Sequence, residues 1–167
     1  MTVDLEKIYE RIGRIARDVL NYALSIVEPG MPILELCERI EGRIRQHGAK
    51  PAFPANISIN EIAAHYTATI SDKSTIPKDS IVKIDIGAHI DGYIVDTAVT
   101  VTFNPMYNQL IKASMKALEA AQLSMKPGVT LSSVGLQVER AIRSFGFKPI
   151  KNLSGHLIRR YELHAGK

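Results

Sequence analysis

The stretch IVKIDIGAHIDGYIVDTAVTVTF, residues 81–103, decides the fold. Two runs rich in β-branched residues flank Asp91-Gly92, a dipeptide that favours a tight hairpin turn, and predict strands over 81–87 and 93–103. Each strand carries an aspartate within its apolar run, Asp85 and Asp96, a residue type that strands tend to exclude. A two-residue turn sets Asp96 opposite Gly87, with Asp85 as its diagonal neighbour. A four-residue turn, His89 to Gly92, sets the two aspartates face to face. In both registers side-chain alternation puts them on one face, with β-carbons about 4.5–8 Å apart. Two carboxylates that near repel, so one is protonated or a cation lies between them. Ile84, Ile86, Ile94, Val95 and Val99 make the surroundings poorly solvated, where unpaired charge is costly. Oxygen donors of this kind suit hard or borderline divalent metals. The plainer alternative is a half-exposed sheet face on which Lys83 pairs with one aspartate.

Outward from the hairpin, the apolar spacing predicts helices. Residues 3–27 place Ile8, Ile12, Ile15, Val19 and Val27 on one stripe, ended by Pro29-Gly30. Pro32 opens a second helix with Ile33, Leu36, Cys37, Ile40 and Ile44 on its apolar face, and Gly48 stops it. KPAFPANISINEIAAHYT, from Lys50, reads as a loop of small and polar residues. A helix over 106–125 turns Leu110, Ala113, Ala117, Leu118 and Ala121 inward, and a fourth runs over 132–145. The chain repeats itself: EPGMPILELCERIEGRIRQHGAKP (28–51) overlies KPGVTLSSVGLQVERAIRSFGFKP (126–149) at a constant offset of 98, matching Pro-Gly, Glu41/Glu139, Arg45/Arg143, Gly48/Gly146 and Lys-Pro. Asn56-Ile57-Ser58 and Asn152-Leu153-Ser154 follow. The repeat, about 28–58 and 126–154, predicts two similar α+β halves related by a pseudo-twofold axis, with a pocket between them.

The 167 residues fit one domain, read as 1–167, large enough for a real core. A lone cysteine excludes a disulfide framework and points to a reducing, cytoplasmic setting. No run approaches a membrane span, and the charged opening MTVDLEKIYERIGR does not read as a signal peptide. The net charge of +4 is spread over helix faces interleaved with Glu, densest at Arg159-Arg160, which is a solvated basic surface and no signature of specific nucleic-acid binding. There is no Gly-x-Ser-x-Gly elbow, phosphate loop, dinucleotide fingerprint or Cys-x-x-Cys pair. Of five histidines, His65 (EIAAHYT), His156 (NLSGHLI) and His164 (ELHAG) sit among small residues that leave room for a ligand. His47 at a helix end and His89 in the turn are weaker candidates. The chemistry left standing is metal-assisted attack of an activated water on a carbonyl.

KPAFPANISINEIAAHYT, VKIDIGAHIDGYIVDTAVTV, KPIKNLSGHLI and YELHAGK, in this order and spacing, resemble methionine aminopeptidases of type II in their archaeal form. AAHYT and NLSGH favour type II over the bacterial pattern. The resemblance implies the pita-bread α/β fold, two related halves around a site for two divalent metal ions (Co2+, Mn2+, Fe2+ or Zn2+). It implies Asp85, Asp96 and His156 as metal ligands, Asp96 bridging both ions, and His65 and His164 as catalytic and substrate-binding groups. Phe53 falls in the segment that walls the pocket for the methionine side chain. Implied partners are nascent polypeptide N-termini starting with Met, and the ribosome. Family members run longer and draw two glutamate ligands from later strands, so the resemblance covers the N-terminal portion and implies that activity needs residues beyond it. A prolidase-like enzyme of the same fold and a non-catalytic binding module are the alternatives.

Overall fold

The computed structural model describes residues 4–166. Its contacts gather into two units: one runs to Phe103 and takes in the chain from Gly155 onward, and the other is Asn104–Ser154.

In the first unit, α1 (Leu5–Ile26) begins where the Asp4 carboxylate accepts a hydrogen bond from the Lys7 backbone N–H, satisfying one of the free donors of the first turn. It buries Ile12, Ile15, Ala16, Val19 and Ala23. α2 (Ile33–Gln46) buries Ile33, Leu36, Cys37, Ile40 and Ile44, the face its spacing predicts. Both helices cover one side of an antiparallel sheet of order β1-β2-β3, with β1 Lys50–Ile59, β2 Ile81–Ile90 and β3 Tyr93–Thr102. The hairpin turn is Asp91-Gly92, with φ of 51° and 83° at its two residues, as a two-residue type I′ turn requires. The two-residue register follows: Gly87 pairs with Asp96, and Asp85 with Ala98. His89, expected in the turn, belongs to β2. Strand parity then sorts the sheet. Val82, Ile84 and Ile86 join the helices in the core, with Val95, Val99 and Val101 packed against it. Lys83, Asp85, Gly87 and Asp96 fall on the other face.

The segment from Lys50, expected as a loop, is a strand for its first ten residues. Pro51 and Pro54 hide it from a propensity reading. They are tolerated because β1 is an edge strand and its register shifts between Pro51 and Phe53 and again between Phe53 and Asn56. A short hairpin, β4 (Leu157–Arg159) and β5 (Glu162–Gly166), completes the first unit and was not expected from the sequence.

The second unit consists of a 3-10 turn (Pro105–Tyr107), α3 (Asn108–Ser124) and α4 (Leu131–Ser144), with the two helices packed on each other. Ala113, Ala117 and Val134 are buried. Leu110 and Leu118, expected to face inward, are 37% and 58% exposed. A helix covered by a single partner buries only a narrow stripe, and on α3 the small alanines occupy it. α2 and α4 are both 14 residues long. Gly30 and Gly48 (φ 90° and 75°) flank one as Gly128 and Gly146 (φ 84° and 81°) flank the other. Arg45 pairs with Glu41 at 2.8 Å, and Arg143 with Glu139 at 2.7 Å.

Candidate metal centre

The outward face of the first unit's sheet gathers most of the candidate residues. Asp85 and Asp96 lie diagonally across β2 and β3, as parity demands. The Asp96 side chain is only 26% exposed, although the β3 backbone beside it is open to solvent. Burial is the main reason its pKa is raised, and the Asp85 carboxylate raises it further. His156 and His164 pull it the other way.

The β4–β5 hairpin brings the histidines to this face. The His156 Nε2 lies 3.6 Å from Asp96 Oδ2, too far for a hydrogen bond. Two ligands of one divalent ion, each about 2.0–2.2 Å from it, stand roughly 2.8–3.6 Å apart, so this separation lies at the wide end of what a shared ion allows. The His156 Nδ1 is buried and has no hydrogen-bond partner. The His164 ring lies 4.3 Å from that of His156, centroid to centroid, tilted by 58°. Phe53 also reaches the site. It pairs with Gly87, and a Cβ on Gly87 would come within 2.3 Å of the Phe53 ring, so the ring lies over the glycine that faces Asp96. His65 is exposed, adopts φ of 66°, and among the described residues makes no hydrogen bond or ring contact with the other candidates.

Lys83 shares this face but neutralises neither aspartate. Its Nζ donates to the carbonyl of Ala63, and among the described residues it has no ion pair. That tie fastens the loop before His65 to the sheet, and it removes the plainer account of the two aspartates. Asn56 pairs with Asp85 across β1 and β2, and Ser58, 2% exposed with an unpartnered Oγ, pairs with Lys83. Sequence reading singled out Asn56 and Ser58 only as part of the repeat. Their place beside Asp85 depends on β1 being a strand.

The donors here, two carboxylates and an imidazole, suit borderline divalent ions. They form a partial set: among the described residues, no group of three or more such side chains is assembled tightly enough to hold an ion. A cavity of about 310 Å³ lies elsewhere, between α1 and β3. Neither aspartate and neither histidine of the site lines it, so it is not the acidic site. No helix among the described residues is long and apolar enough to cross a membrane.

The sequence profile of metallopeptidase family M24 matches residues 7–167. The chain belongs to that family. This M24 chain is 51% identical to the methionine aminopeptidase of Pyrococcus abyssi over 164 residues, covering 98% of this chain and 55% of that protein. It is 48% identical to the methionine aminopeptidase of Methanocaldococcus jannaschii over 161 residues, covering 96% and 54%. It thus spans about half the length of these curated relatives. Among solved structures, the methionine aminopeptidase of Thermotoga maritima superposes with a TM-score of 0.87 at 24% identity, covering all of this chain and 70% of that one. The prolidase of Pyrococcus furiosus superposes with a TM-score of 0.85 at 24% identity, covering 98% and 49%. The fold of this M24 chain is the pita-bread α/β fold.

Proposed function

We propose that this chain is the N-terminal portion of a metal-dependent aminopeptidase that removes the initiator methionine from nascent polypeptides in the cytoplasm. One observation carries the reading: identity of 48–51% to archaeal methionine aminopeptidases over nearly the whole chain, against 24% to the prolidase, whose fold matches as well. Asp85, Asp96 and His156 are the residues that would hold two divalent ions, with Asp96 shared between them. The ions would supply activation of a water and polarisation of the peptide carbonyl. His164, and His65 from its own loop, would orient the peptide and stabilise charge developing on the carbonyl oxygen. Phe53, lying over Gly87, would wall the pocket for the methionine side chain. The remaining ligands, two glutamates, would come from residues outside these 167. The duplicated unit belongs to the same proposal: the matched lengths, glycines and ion pairs of α2 and α4 support two related halves within one domain. Substrate partners would be polypeptide N-termini starting with Met, presented at the ribosome.

Calorimetric titration with Mn2+ tests the ligand assignment. Wild type should bind at least about tenfold more tightly than Asp96→Ala, a difference of about 1.4 kcal/mol. Equal weak binding by both would sink the metallopeptidase reading for this chain and favour a binding module. In the chain extended to the length of its relatives, cleavage of Met-Ala peptides in preference to Xaa-Pro peptides separates the aminopeptidase from the prolidase-like alternative.

A further inference from the structure

The β4–β5 hairpin carries His164 and follows directly on His156, yet little of its own structure fixes it in place. It comprises three and five residues, pairs at Leu157–Gly166 and Arg159–Glu162 with an irregularity between, and is mostly exposed. An isolated two-stranded hairpin of this size is at best marginally stable in water. What holds it is a contact between two turns. The Tyr161 backbone N–H donates to the Gly92 carbonyl at 2.8 Å, and the Arg160 Nε donates to the Asp91 carbonyl at 2.8 Å. The Arg160 guanidinium lies 5.1 Å from the Tyr93 ring centroid and 5.5 Å from that of Tyr161, so it bridges two aromatic faces. The Tyr161 ring also meets His89 edge-on at 6.0 Å. Gly92 makes the approach possible, since a Cβ there would stand 2.3 Å from the Tyr161 ring. Tyr161 itself adopts φ of 60°, a conformation held against its own preference.

We propose that Arg160 and Tyr161 are positioning residues. They latch the β4–β5 turn onto the Asp91-Gly92 turn and so set His156 and His164 over Asp96. Both hairpins run from the same fastened end. Asp96 lies four residues beyond Gly92 and His164 three beyond Tyr161, roughly 13 and 10 Å along their strands at about 3.3 Å per residue. Fixing the turns therefore fixes the facing of the side chains one to two turns of pleat away. The consequence for metal binding rests on the proposed function above. The latch itself does not.

The test reads geometry and affinity separately, in the full 167-residue chain. In metal-free wild type, nuclear Overhauser contacts between the His156 imidazole and the Asp96 β-protons should be present. Tyr161→Ala, which removes the ring packed on Gly92, His89 and Arg160 but keeps the backbone bond to Gly92, should weaken them severalfold while the unfolding midpoint of the helix-covered sheet moves little, and should weaken Mn2+ binding. Tyr161→Phe, which keeps the ring, should restore both. Arg160→Ala, at an exposed position that leaves the Tyr161 backbone bond available, should give a partial loss of the same contacts. It serves as the deciding variant if Tyr161→Ala does not fold. Retention of the His156–Asp96 contacts in both Tyr161→Ala and Arg160→Ala overturns the latch. Loss of those contacts with no Mn2+ binding even by wild type leaves the latch standing and removes the metal reading instead.

Discussion

Asp96 is where the chemistry and the stability of the molecule oppose each other. Its pKa is raised, mostly by burial and then by Asp85, so the folded state holds its proton more tightly than the unfolded chain does. Between the ordinary aspartate pKa of 3.8 and the raised one, the folded protein binds more protons, and stability falls as pH rises through that window. Asp96→Asn should therefore raise the metal-free thermal midpoint at neutral pH, and the advantage should shrink as pH drops to and below 3.8. Thermal scans in chelator across that range check it, and an unchanged or lower midpoint at neutral pH contradicts it. The pairing of Asp85 with Asp96 on one face was legible from the residues alone, because parity holds in every register the turn permits. The fate of Lys83 was not. A lysine two residues from an aspartate in a strand shares its face, and only the path of a distant loop shows that Ala63 takes its ammonium. His65 is legible as a residue of interest but not as a neighbour, since a loop residue at positive φ has no periodicity to place it.

At the scale of elements, the helix faces followed from spacing and the strand with two prolines did not. Ile33, Leu36, Cys37, Ile40 and Ile44 are all buried, as a period of 3.6 requires. β1 shows the reverse case, where pairing with a neighbour overrides local propensity and bulges absorb Pro51 and Pro54. The Phe53–Gly87 contact is the sharpest product of that strand. Gly87→Ala places a methyl 2.3–2.5 Å from two Phe53 ring carbons, and should cost about 1–3 kcal/mol as overpacking does. In a Phe53→Ala background most of that cost should disappear, a coupling measurable by urea titration of the four members of a double-mutant cycle. Additive losses would show that the ring does not sit over the glycine. The latch turns, too, lay beyond a sequence reading. Arg159-Arg160 registered only as charge density, and the stacking of one turn on another leaves no local pattern.

Across the whole molecule, burial is unevenly divided. The first unit encloses Ile12, Val19, Leu36, Ile40, Ile57, Val82, Ile84 and Ile86 almost completely, whereas α3 and α4 bury little beyond Ala113, Ala117 and Val134. Leu118, Leu123 and Leu131 of those helices are 58%, 70% and 78% exposed. Local opening is cheapest where few apolar contacts hold an element. Native-state hydrogen exchange should accordingly protect the amides of β2 far longer than those of α3 and α4. Equal protection in the two would mean that the second unit is stabilised by more than its own packing. The fold class was readable from the resemblance that the hairpin, AAHYT and NLSGH segments carry, and the family match bears it out. The resemblance already covered only an N-terminal portion, and comparison puts that at about half of the relatives' length.

The two edges of the three-stranded sheet are not equivalent. In β1, Pro51 and Pro54 carry no N–H, and the Ile57 N–H is already given to the Tyr66 carbonyl, so few main-chain donors are left for a further strand. The opposite edge strand, β3, contains no proline and keeps an N–H at every residue. It is also the strand that carries Asp96.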